Sequence, residues 1–115
     1  MEKSVMVVDD EPSIRELVRR ILESEGFQVI EAVDGLDAML KLRELAGNID
    51  ALVSDVKMPR MDGISLANTV QELYPKLPIL LMSGFVEKAA FGKPLIIPKP
   101  FTAQTLIAAI RALLS

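Results

Sequence analysis

The sequence predicts an α/β fold, a doubly wound parallel β-sheet with helices on both faces. Three observations lead there. Short apolar runs alternate along the chain with longer stretches of helical spacing. The runs are nearly continuous in apolar residues, as strands buried on both faces are. The chain has 115 residues, half of them apolar, which is enough for one domain over residues 1–115 with a real core.

Strands are expected at SVMVV (4–8), FQVIE (27–31), ALVS (51–54), PILLM (78–82) and LII (95–97). Between the first two, Ile14, Leu17, Val18, Ile21 and Leu22 form a helical stripe, with Pro12 suited to its first turn and Gly26 to its end. Ala38, Leu42, Leu45 and Ala46 form a second stripe, with Asp34 as cap and Gly47 as terminator. Leu66, Ala67, Val70, Leu73 and Tyr74 form a third, stopped by Pro75. Leu106, Ala109, Ile110, Leu113 and Leu114 form the last, behind a Thr102 cap. The stretch from Gly84 to Pro94 has room for one short helix or none.

Composition narrows the function. No apolar run approaches the ~20 residues of a membrane span, and the N-terminal acids of MEKSVMVVDDEP interrupt any signal-peptide core. A cytoplasmic protein without membrane contact is expected. The absence of cysteine excludes disulfides and thiol chemistry. The absence of histidine excludes His-based triads, the usual zinc sites and a role as phosphohistidine donor. A net charge of −3 without a basic cluster argues against nucleic acid.

In an open parallel sheet, ligands bind beyond the carboxyl ends of the strands. The residues there are Asp9, Asp10 and Glu11 after strand one, Asp55 after strand three, Ser83 and Gly84 after strand four, and Lys99 after strand five. Each alone has a plainer explanation: an acid can cap a helix, Ser-Gly can make a turn, a lysine can be solvated. Together they share one rim. Clustered carboxylates repel unless a cation joins them, and Mg²⁺ suits few carboxylates plus waters. Lys99 adds a compact charge suited to phosphate. The set is built for phosphoryl chemistry on or near Asp55.

The motifs VVDDEP, VSDVKMPRMDG, LLMSG and PKPF, in this order, resemble the receiver domain of two-component response regulators from about Ser4 to Leu114. The resemblance implies a flavodoxin-like sheet of order 2-1-3-4-5. It also implies that Asp55 accepts a phosphoryl group from a phosphohistidine on a histidine kinase or histidine phosphotransfer protein. Asp10 and Asp55 match direct Mg²⁺ ligands, with the backbone carbonyl of Lys57 as a third; Asp9 matches a ligand acting through water. Ser83 matches the switch hydroxyl and Lys99 the lysine that pairs with the phosphoryl group. The family also implies a cis peptide at Lys99–Pro100, and the domain is a phosphoacceptor with slow autodephosphorylation rather than an enzyme. Pro59, Gly63 and Asp62 are expected as scaffolding, with Gly63 in a backbone shape other residues resist and Asp62 capping the third helix.

Three departures bear on mechanism. Receivers often carry Tyr or Phe three residues before the lysine, and here that position is Ile96, which argues against an aromatic switch; Phe91 and Phe101 are the nearest substitutes. Ser83 and Lys99 are only 99 − 83 = 16 positions apart, so the fourth helix is expected to be short or absent. Lys57 places a cation beside the site. The LLMSGF and PKPF wording resembles receivers attached to hybrid histidine kinases. Two other classes compete. A haloacid-dehalogenase-like phosphohydrolase would place a second Asp two residues after the nucleophile, where this chain has Lys57. A pseudo-receiver would serve as an interaction module without accepting phosphate. Signalling is expected to leave through Ser83 and an ordering of residues 84–94, altering what Phe85, Val86 and Phe91 present.

Overall fold

A computed structural model of the chain describes residues 2–84 and 95–115. Its elements are β1 (Ser4–Val8), α1 (Pro12–Ser24), β2 (Gln28–Ala32), α2 (Gly35–Glu44), β3 (Ala51–Asp55), α3 (Gly63–Leu73), β4 (Ile79–Ser83), β5 (Leu95–Pro98) and α4 (Ala103–Leu114). The strands form one parallel sheet in the order β2-β1-β3-β4-β5. The fold class and strand order expected above are those observed. The readings placed on residues 85–94, including the short or absent fourth helix and the roles of Phe85, Val86 and Phe91, lie outside the described residues.

Strand periodicity builds two cores. Successive side chains of a strand point to opposite faces, so Val5 and Val7 of β1 pack with Val18, Leu22, Leu106 and Ile110 from α1 and α4. Met6 and Val8 pack on the other face with Leu42, Leu66 and Val70 from α2 and α3. These side chains are fully buried, which explains why the strands read as unbroken apolar runs.

The helix ends follow local chemistry. Pro12 opens α1, and Gly26, at φ 90°, lets the chain leave it in the left-handed region. Asp34, Asp62 and Thr102 cap α2, α3 and α4, each accepting the backbone N–H three residues on, from Asp37, Ser65 and Thr105. The buried faces are narrower than the apolar stripes of the sequence. Leu17 is 47% exposed. With about 100° per residue it lies roughly 120° from the Val18–Leu22 centre of the buried face. Leu73, the last residue of α3, is 58% exposed. Ala46 lies beyond the end of α2, already in the left-handed region at φ 53°.

Gly63 is required for a different reason from the one expected. Its φ is not positive; the left-handed residue of this loop is Arg60, at φ 68°. A Cβ on Gly63 would stand 2.1 Å from the Asp55 carbonyl oxygen and 2.9 Å from the Val56 Cα. The first turn of α3 therefore rests directly on the backbone that carries Asp55. Gly63→Ala should lower stability by about 1–3 kcal/mol through overpacking, whereas Leu17→Ser should stay within about 0.5 kcal/mol of wild type. Urea denaturation of the two variants checks both values.

Candidate functional site

Strand register brings the predicted residues to one rim. Val8 lies opposite Ala32 and Ser54, Asp55 opposite Met82, and Ser83 opposite Pro98. Asp9, Asp55, Ser83 and Lys99 thus stand at the carboxyl ends of β1, β3, β4 and β5. Asp9 is fully buried, and Asp55 and Ser83 are 9% and 7% exposed, while Asp10 faces solvent. Asp9, Asp10 and Asp55 each offer a carboxylate oxygen within 4.8 Å of the other two.

Lys99 enters this cluster from β5. Its N–H donates to the Ser83 carbonyl at 2.8 Å. Its Nζ lies 2.9 Å from Asp55 Oδ1 and 3.7 Å from Asp9 Oδ2. Asp55 Oδ1 also accepts the Val56 N–H at 2.9 Å. The peptide from Lys99 to Pro100 is cis, as the family resemblance implied. Ile96 is half-buried against the α2–α3 side of the sheet, and Phe101 against the α1–α4 side.

Asp9 is the anomaly of the site. Its Oδ1 accepts the Glu11 N–H at 2.9 Å. Its Oδ2 is buried with no hydrogen-bond partner among the described residues. Lys99 at 3.7 Å is near enough to attract it but too far to hydrogen-bond. Burial raises the Asp9 pKa above its ordinary 3.8, and the neighbouring charges of Asp55 and Asp10 push the same way. The Glu11 N–H and Lys99 oppose the rise without cancelling it. An orphaned carboxylate oxygen beside two further carboxylates, one open to solvent, is a donor set that suits a hard divalent cation keeping some of its waters.

The contacts of three side chains at the rim had no sequence signal. Arg15 donates to the Asp9 carbonyl at 2.8 Å and pairs with Glu31 at 3.0 Å, tying β2 and α1 to the first acid. The buried Ser54 hydroxyl donates to the Asp55 carbonyl at 2.8 Å. Arg60 pairs with the buried Asp34, read from sequence only as a helix cap. Arg15 and Glu31 are 16 positions apart and Arg60 and Asp34 are 26 apart, so no local pattern marks those pairs.

The family model for the response regulator receiver domain matches residues 5–111. The chain belongs to that family. As a receiver it is a signal-transduction module of the two-component type, not a classical enzyme. It is 35% identical over 96% of its length to the sensor kinase CckA of Brucella abortus, of which it covers 12%. It is 37% identical over 99% of its length to the response regulator MprA of Mycobacterium bovis, of which it covers 51%. The receiver therefore spans about half or less of these relatives. Its fold matches the chemotaxis protein CheY4 of Vibrio cholerae with a TM-score of 0.88 at 30% identity, covering 98% of this chain and 99% of that one. A chain of the CheX–CheY–BeF₃–Mg²⁺ complex from Borrelia burgdorferi matches with a TM-score of 0.92 at 26% identity, over 98% and 90% of the two chains. Among the described residues no helix is long and apolar enough to cross a membrane.

The two shifted acids carry opposite pH signatures. Asp9, with its raised pKa, holds a proton more tightly when folded, so stability declines as pH rises from 3.8 through the raised value. Asp34 is lowered from 3.8, first by the Asp37 N–H and then by Arg60 against the opposing effect of burial. Its contribution is present above 3.8 and is lost as pH falls through the lowered value. In the absence of divalent ions, Asp9→Asn should gain stability over wild type progressively as pH rises above 3.8. Urea midpoints across that range measure it.

Proposed function

We propose that the chain forms one receiver domain, residues 1–115, in which Asp55 accepts a phosphoryl group from a phosphohistidine of a cytoplasmic histidine kinase or histidine phosphotransfer protein. The observation that carries this reading is the convergence of Asp9, Asp10, Asp55 and Lys99 at one sheet rim. An Asp55 oxygen forms the new bond to phosphorus. The bond from phosphorus to the donor imidazole breaks, and its electron pair stays on that nitrogen. The Lys99 ammonium, already beside Asp55, pairs with the transferred oxygens, and the Ser83 hydroxyl donates to them from the next strand.

Asp10, Asp55 and the Lys57 carbonyl would hold Mg²⁺ directly, with Asp9 acting through water. When bound, the ion supplies positive charge that neutralises the carboxylates and the incoming phosphoryl oxygens. The similarity to a chain from a complex containing BeF₃ and Mg²⁺ supports this assignment. Release from Asp55 is slow hydrolysis by water, and the signal leaves through Ser83. With Ile96 in the strand, the switch runs without a ring at that position.

Incubation with a small phosphodonor and Mg²⁺ should add one phosphoryl group to wild type and none to Asp55→Asn, read by intact mass. Undiminished uptake by the variant refutes the assignment. No uptake by wild type favours a phosphorylation-independent interaction module.

Mg²⁺ titration gives a separate prediction. Asp10→Asn should weaken binding by about tenfold or more. Lys57→Asn, which removes an exposed cation two residues after Asp55, should strengthen it about two- to fivefold.

A further inference from the structure

The loop from Val56 to Asp62 joins β3 to α3 and carries the Lys57 carbonyl. Within it the Met61 N–H donates to the Pro59 carbonyl at 2.8 Å, and the residue between them, Arg60, has φ 68°. A three-residue turn of that hand is rare and strained. Glycine would relieve the strain at its centre, yet the chain places arginine there.

The arginine is gripped from α2. Its Nε donates to Asp34 Oδ2 at 2.8 Å, and a terminal nitrogen reaches the same oxygen. Asp34 is 3% exposed. Its Oδ1 accepts the Asp37 N–H at 2.9 Å as the cap of α2, so both carboxylate oxygens are used. The next residues touch as well. A Cβ on Gly35 would stand 2.6 Å from the Met61 carbonyl oxygen. At the far end of the loop the Gly63 N–H donates to the Val56 carbonyl at 2.8 Å.

We infer that Asp34 and Arg60 are positioning residues of the acidic site. Their ion pair pins the strained turn to the N-terminus of α2 and so sets the loop that presents the Lys57 carbonyl beside Asp55. The consequence for the metal rests on the Mg²⁺ reading above; the pinning itself rests on geometry alone.

Two readouts on the full chain test this: calorimetric titration with MgCl₂, and amide hydrogen exchange without metal. Asp34→Asn keeps a capping side chain but loses the charge; Arg60→Ala loses the guanidinium. Both should weaken Mg²⁺ binding by about tenfold or more, and the double variant should be no worse than the weaker single. Exchange at the Met61 and Gly63 amides should quicken in both. A long-range charge effect would instead move the singles in opposite directions, Asp34→Asn weakening Mg²⁺ binding and Arg60→Ala strengthening it. Opposite signs, or unchanged exchange in both variants, would overturn the inference. Arg60→Gly relaxes the turn and keeps the test open should Arg60→Ala fail to fold; its affinity should fall between wild type and Asp34→Asn. Wild-type protein that binds no Mg²⁺, with both variants still loosening the loop, would refute the acceptor reading and support the clamp.

Discussion

Asp9 and Asp55 stand at the ends of adjacent strands in a buried sheet, and the Lys99 ammonium lies 2.9 Å from one and 3.7 Å from the other. Much of the rim depends on this contact. Two carboxylates so placed repel each other, and burial penalises their charged forms. Lys99 offsets the repulsion in part. Burial raises the Asp9 pKa despite Lys99, and Asp9 Oδ2 has no hydrogen-bond partner among the described residues. The site is therefore electrostatically incomplete, a donor set suited to a hard divalent cation.

The scaffold serves this arrangement by holding the backbone that carries these residues. Ser54 donates to the Asp55 carbonyl and Arg15 to the Asp9 carbonyl. Gly63 brings α3 against the Asp55 backbone with no space for a Cβ. Lys99 is held by its own N–H on the Ser83 carbonyl. Asp9 and Asp55 are thus fixed through their main chains as well as through one carboxylate oxygen each, Asp9 Oδ1 and Asp55 Oδ1. This is how a site can be rigid in position while its charges remain unsatisfied.

The curated relatives with a segment similar to this receiver are longer, and one is a sensor kinase, another a response regulator. Receiver-like segments therefore occur in proteins of different overall construction.

Periodicity and motif were enough to determine the five strands, the alternating helices, the capping roles of Asp34, Asp62 and Thr102, and the identity of the residues at the rim. They are legible because each rests on near neighbours in sequence: a strand's alternation, a helix's first turn, the residue that follows a strand. Tertiary structure decided the rest. It turned Leu17 and Leu73 to solvent, because a helix buries only the arc its neighbours cover. It made Gly63 a matter of space rather than of φ, because α3 packs onto a backbone eight residues earlier. It left Asp9 short of a partner by setting Lys99 at ion-pair rather than hydrogen-bond distance. And it joined Asp34 to Arg60 across 26 residues, turning a helix cap into an anchor for a strained turn. Those outcomes depend on distances between elements, which a one-dimensional pattern does not carry.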